Sequence, residues 1–82
     1  MATTPYPPTV RRKISIRGVV QGVGFRPFVY NLARSLDLSG YVLNSSSGVT
    51  IEVEGAEPEI ERFVEEVQKH PPPLARITDF DL

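Results

Sequence analysis

The chain has no cysteine and one histidine, His70. The first absence excludes a disulfide scaffold and the cysteine-rich zinc modules. The second excludes a metal site assembled from histidines. No apolar run approaches the ~20 residues that a membrane-spanning helix needs. The first nine residues, with Pro5, Pro7 and Pro8, lack the apolar stretch of a signal peptide. A cytoplasmic domain without membrane contact is the expectation. Acids are scarce in the first fifty residues, where Asp37 stands alone against Arg11, Arg12, Lys13, Arg17, Arg26 and Arg34. Residues 51–82 reverse the balance, with nine acids against Arg62, Lys69 and Arg76. The net charge of −1 therefore hides a basic half and an acidic half, yet it is too small and too mixed for a nucleic-acid footprint. Eighty-two residues make one domain, and a chain this short buries only about 60–65% of its unfolded surface. Without disulfides it must rely on compact two-layer packing.

What is present is a regular succession of patterns. Residues 1–9 read as a flexible leader and 10–82 as the domain. Lys13 to Val20 alternates at first like a half-buried strand, with Gly18 a place where another backbone or a ligand comes close. A helix opens at Pro27, where a missing N–H costs nothing, and carries Phe28, Val29, Leu32, Ala33 and Leu36 on one face. Asp37-Leu38-Ser39-Gly40 ends it. A strand over residues 40–44, a polar turn over 45–48 and a strand over 49–54 make a hairpin, with Val49, Ile51 and Val53 facing inward. A second helix begins at Glu57-Pro58-Glu59, buries Ile60, Phe63, Val64 and Val67, ends near Lys69 and His70 and is stopped by Pro71-Pro72-Pro73. A last strand over 74–82 slips phase between Ile77 and Phe80, which predicts a bulge or an irregular start. The order predicts an α+β fold, the ferredoxin-like split β-α-β-β-α-β sandwich: an antiparallel sheet with two helices on one face.

The chemistry concentrates at Val20-Gln21-Gly22-Val23-Gly24-Phe25-Arg26. A glycine-rich turn feeding a helix N-terminus aims several N–H donors into one small space beside the positive end of the helix dipole, which favours an anion. The planar guanidinium of Arg26 suits two phosphate oxygens, and Pro27 biases Arg26 toward extended backbone, outside the helix. No Lys-Ser or Lys-Thr follows, so this is no P-loop, and Pro27 stands where a dinucleotide fingerprint has its third glycine. The same glycines also suit a purely structural turn, with Arg26 lying over Phe28 or Tyr30. Asn44 ends the second strand on the edge that carries the glycine loop. It is either a turn residue or a group that holds a water beside a bound phosphate. Asn44-Ser45-Ser46 matches a glycosylation sequon, idle in a cytoplasmic chain. There is no serine–histidine–aspartate set, and no carboxylate pair stands in a plausible cleft. An RNA-binding sheet would need exposed aromatics, whereas the outward strand positions are Ser15, Arg17, Thr50, Glu52 and Glu54.

Residues 20–26, with Gly40-Tyr41-Val42-Leu43-Asn44 and Gly48-Val49-x-Ile51-Glu52-Val53-x-Gly55, resemble the acylphosphatase family. The resemblance spans roughly residues 12–82. It implies that the backbone amides of Gln21, Gly22, Val23, Gly24, Phe25 and Arg26, with the Arg26 side chain, bind the substrate phosphate. It also implies that Asn44 positions the attacking water, the phosphate itself helps to move the proton, and no metal or cofactor takes part. Arg26-Pro27-Phe28-Val29-Tyr30 and Pro71-Pro72-Pro73-Leu74-Ala75-Arg76-Ile77 are similar to the acylphosphatase-like N-terminal domains of hydrogenase-maturation carbamoyltransferases. That narrower resemblance implies a fragment of a larger protein, with carbamoyl phosphate as substrate and downstream domains as partners. A non-catalytic module that binds or docks carbamoyl phosphate shares every feature except the need for Asn44. The family pattern continues into a further short strand past position 82, so an unpaired sheet edge is expected.

Overall fold

The computed structural model describes residues 8–82. Six elements succeed one another: β1 (Thr9–Val19), α1 (Phe25–Ser35), β2 (Ser39–Asn44), β3 (Gly48–Ala56), α2 (Glu57–Lys69) and β4 (Arg76–Asp81). The strands form one sheet in the order β2-β3-β1-β4, each antiparallel to its neighbour. β1 and β2 therefore run parallel with β3 between them, and β3 and β4 run parallel with β1 between them. A helix bridges each parallel pair. This is the split β-α-β-β-α-β sandwich that the sequence predicts.

Alternation decides which side chains are buried. Ile14 and Ile16 of β1 and Val49, Ile51 and Val53 of β3 point to one face, where they meet Phe25 and Val29 of α1 and Ile60, Phe63 and Val67 of α2. Burial of each such side chain stabilises by about 1.5–3 kcal/mol, so the two central strands and the two helices carry most of the packing energy. The edge strands add only half-buried Val42, Ile77 and Phe80.

Four local features differ from, or sharpen, the sequence expectation. The first is the length of β1, which begins at Thr9 rather than Lys13. The Arg11-Arg12-Lys13 run looks unlike a strand, but Arg11 lies across from acids on β3 and pairs with Glu52 at 2.5 Å and Glu54 at 2.8 Å. Of the leader expected over residues 1–9, residues 1–7 lie outside the described residues. The second is the start of α1 at Phe25, which places Arg26 inside the helix as its second residue, not extended ahead of it. The first helical N–H groups have no intrahelical acceptor, so Pro27 removes no bond there, and the carbonyl its ring would crowd belongs to Val23, ahead of the helix. The bias of a pre-proline residue is then outweighed by Phe25, which is fully buried.

The third feature is the bulge. Arg17 pairs with Asp79 and Gly18 with Ile77, leaving Thr78 as an extra residue on β4. Ile77 and Phe80 can then both pack toward the core. Gly18 lies so close to β4 that a Cβ there would sit 2.0 Å from the Arg76 carbonyl oxygen. The fourth is the late start of β4. Leu74 is exposed in a turn closed by the Ala75 N–H donating to the Pro72 carbonyl at 2.9 Å, and Ala75 is the residue that enters the core.

The outer face of the sheet is polar and cross-linked. Tyr41 of β2 donates its hydroxyl to Glu52, which also accepts from Arg11. The hydrogen bond from Tyr41, then that from Arg11, holds the Glu52 carboxyl below the usual carboxylate value. Among the described residues no helix is long and apolar enough to cross a membrane.

Candidate active site

β1 and β2 finish at the same end of the sheet, because they run parallel. The loop after β1 and the last residue of β2 are brought together there. Val20, Gln21, Gly22, Gly24, Arg26, Pro27 and Asn44 line a cleft of about 210 Å³. Five of the residues named from sequence thus share one cavity: Gln21, Gly22, Gly24, Arg26 and Asn44. The other two serve as anchors. Phe25 is fully buried and Val23 packs against the core, so the loop is pinned from below.

The loop backbone is unusual in what it leaves free. Gly22 and Gly24 have φ of 72° and 80°, in the left-handed region that glycine adopts without strain. Helical bonding begins only where the Phe28 N–H donates to the Gly24 carbonyl at 3.2 Å. Among the described residues, none of the N–H groups of residues 21–26 donates to a backbone carbonyl. Polar groups in that state need a partner, whether solvent or ligand. α1 has no acid in its first turn and no side-chain cap, so nothing offsets the positive end of its dipole. Arg26 makes no ion pair and Asn44 no side-chain hydrogen bond among the described residues. Free donors, an uncompensated helix end and a guanidinium around a small cavity can hold a tetrahedral oxyanion.

Two wider depressions lie elsewhere. One, of about 430 Å³, runs over Ser15, Arg17 and Asp79 to Asp81. The other, of about 390 Å³, lies beside Ser35 to Asp37, Ala56 and Glu59. Both expose carboxylates, which disfavour an anion, so size alone does not select the site. Among the described residues no group of three or more histidines, cysteines or acids is placed to hold a metal ion.

Sequence reasoning missed the side chain of Gln21, which it treated as one more backbone amide. Its Nε2 donates to the Ser45 carbonyl at 2.6 Å and to the Gly48 carbonyl at 2.9 Å. Pro27 as a wall of the cleft was also missed. Of the two rings, Phe28 and Tyr30, that the structural alternative gave to Arg26, Tyr30 carries Arg34, 5.6 Å from its centroid and donating to its hydroxyl.

Fold and site together define a ferredoxin-like α+β domain with a glycine-loop cleft at one end of its sheet. The chain belongs to the acylphosphatase family, whose family model, Acylphosphatase, matches residues 12–82. It is 53% identical over 75 residues to a carbamoyltransferase HypF of Rhizobium leguminosarum bv. viciae, covering 92% of this chain and 10% of that protein. It is 51% identical over 61 residues to an acylphosphatase of Thermotoga maritima, covering 73% of this chain and 68% of that protein. Among solved structures, full-length HypF in a phosphate- and nucleotide-bound form matches with a TM-score of 0.91 and 48% identity, over 96% of this chain and 10% of that one. The acylphosphatase of Bacillus subtilis matches with a TM-score of 0.81 and 40% identity, over 87% and 79%. The chain spans about a tenth of the length of the HypF carbamoyltransferases it matches.

Proposed function

We propose that the domain hydrolyses acyl phosphates, with carbamoyl phosphate as the physiological substrate. The observation that carries this is the meeting of Arg26 and Asn44 in one small cleft with a loop, residues 21–26, whose N–H groups donate to no backbone carbonyl. The amides of residues 21–26 and the Arg26 guanidinium bind the phosphate oxygens and stabilise the charge that builds on them. Asn44 holds a water in line with the bond to be broken. As the water oxygen bonds to phosphorus, the bond from phosphorus to the acyl oxygen breaks and its electron pair leaves on a carboxylate or carbamate. One water proton passes to a phosphate oxygen. The leaving group is a weak base and needs no general acid, so positioning and charge stabilisation suffice.

The similarity to HypF carbamoyltransferases supports a place for the domain at the N-terminus of such an enzyme in nickel–iron hydrogenase maturation. There it would pass carbamate to downstream domains, which are the proposed protein partners.

Release of inorganic phosphate from carbamoyl phosphate and from acetyl phosphate, with no metal added, tests the proposal. The unaltered chain is expected to release phosphate from both. Asn44→Ala is expected to lose about 10²-fold in turnover, with inorganic phosphate still competing as well as before. Equal turnover by the two proteins would refute the assigned site. No turnover by either, with phosphate still protecting the fold against denaturant, would replace hydrolysis by a binding role.

A further inference from the structure

We infer that the side chain of Gln21 is a positioning residue: it clamps the turn between β2 and β3 so that Asn44 faces the phosphate cleft. The inference rests on the hydrolytic role proposed above and names a residue through which Asn44 is set in place. A glutamine amide has two N–H hydrogens, and here both are committed. One goes to the carbonyl of Ser45 and the other to that of Gly48. These residues are the first and last of the turn, which is itself closed by the Ser45 N–H donating to the Gly48 carbonyl at 2.8 Å. One side chain from the loop after β1 thus ties both ends of the turn that follows Asn44.

The turn needs such a tie. β2 lies at the edge of the sheet, so Asn44 is held by backbone pairing on one flank only, opposite Val49. Gly48 is paired with Arg17 at the end of the ladder between β1 and β3, but the residues ahead of it are tied to β1 by a long bond, from the Gly18 N–H to the Ser47 carbonyl at 3.4 Å. Gln21 is itself exposed, so it contributes no core packing, and its replacement leaves the buried cluster intact. The chemistry also selects the residue type. Glutamate would set a carboxylate against two carbonyl oxygens and bring negative charge to the rim of an anion site. Asparagine is one methylene short. Methionine keeps the length and removes the donors.

Two measurements on the full chain test this. The first is acetyl phosphate turnover by Gln21→Met, by Asn44→Ala and by the double variant. Gln21→Met is expected to lower kcat by about 10-fold or more through misplacement of Asn44, with competition by inorganic phosphate unchanged within about twofold. In the Asn44→Ala background the same change is expected to do little, because both act on one element. Losses that multiply would overturn the inference while leaving the hydrolase intact. The second is amide hydrogen exchange at Ser45, which Gln21→Met is expected to speed about tenfold, the worth of one hydrogen bond. Unchanged exchange at Ser45 would overturn the clamp whatever the kinetics show. Absence of turnover in the unaltered chain would overturn the hydrolytic proposal, and the positioning of a water with it, while exchange at Ser45 would still decide whether Gln21 holds the turn.

Discussion

The two helices begin in opposite electrical settings. α2 starts from an extended Ala56, has proline in its first turn and places Glu57 and Glu59 beside its positive end. α1 starts from a left-handed Gly24, has no acid in its first turn and places Arg26 there. Neither has a side-chain cap. α2 thus compensates its dipole with its own carboxylates, each worth about 0.3–1 kcal/mol at such a site. α1 forgoes that stabilisation and adds like charge. The difference teaches where a ligand belongs: a helix end that neutralises itself has no use for an anion, whereas one left open is completed by it. Burial points the same way. α2 sinks three side chains fully into the core, while the loop before α1 is pinned by Phe25 and keeps its polar groups outward.

The sharpest way to break this contrast is to remove one arginine from each helix. Arg26→Ala is expected to cost about 10²–10³ in phosphate release, the usual loss for one donor aimed at a transition state. Arg62→Ala on α2 is expected to leave the rate unchanged. Equal losses would mean that Arg26 acts only through overall charge. A milder test gives α1 what α2 already has. Pro27→Glu is expected to weaken competition by inorganic phosphate about two- to fivefold relative to Pro27→Ala, as a carboxylate in the first turn takes the place of the anion. The smallest effect comes from making α2 resemble α1. Glu57→Gln with Glu59→Gln is expected to lower stability by about 0.5–2 kcal/mol in denaturant titration, with turnover unaffected. A rise in stability would show that α2 does not rely on these acids.

Much of the fold can be read from the residues because its signals are local. Val49, Ile51 and Val53 alternate without interruption, and Ile60, Phe63 and Val67 recur at helical spacing, so β3 and α2 follow from period alone. Glu57-Pro58-Glu59 marks the start of α2. The phase slip between Ile77 and Phe80 marks a bulge. What escapes is whatever depends on a distant partner. The start of β1 is hidden because Arg11 becomes strand-like only opposite Glu52 and Glu54. The entry of Arg26 into α1 depends on the burial of Phe25, which outweighs the local bias of Pro27. The same division holds at the cleft. Two glycines, an arginine and an asparagine carry a recognisable pattern, but the reach of Gln21 to Ser45 and Gly48 spans two loops. No spacing rule contains it, though a glutamine at a loop start is a side chain long enough to cross between neighbouring turns.

The extra residue Thr78 gives β4 an odd parity. In a plain strand, apolar contacts on one side fall an even number of positions apart, yet Ile77 and Phe80 are three apart and share a side. Excising Thr78 would leave Ile77 and Phe80 two positions apart, the spacing of a plain strand, so the pair would keep one side without the bulge. Removing Thr78 and Asp79 together would make the pair adjacent and turn one of them toward water, a loss approaching the ~1.5–3 kcal/mol of a buried large side chain. In this strand a one-residue deletion at the bulge is therefore expected to do less harm than a two-residue deletion.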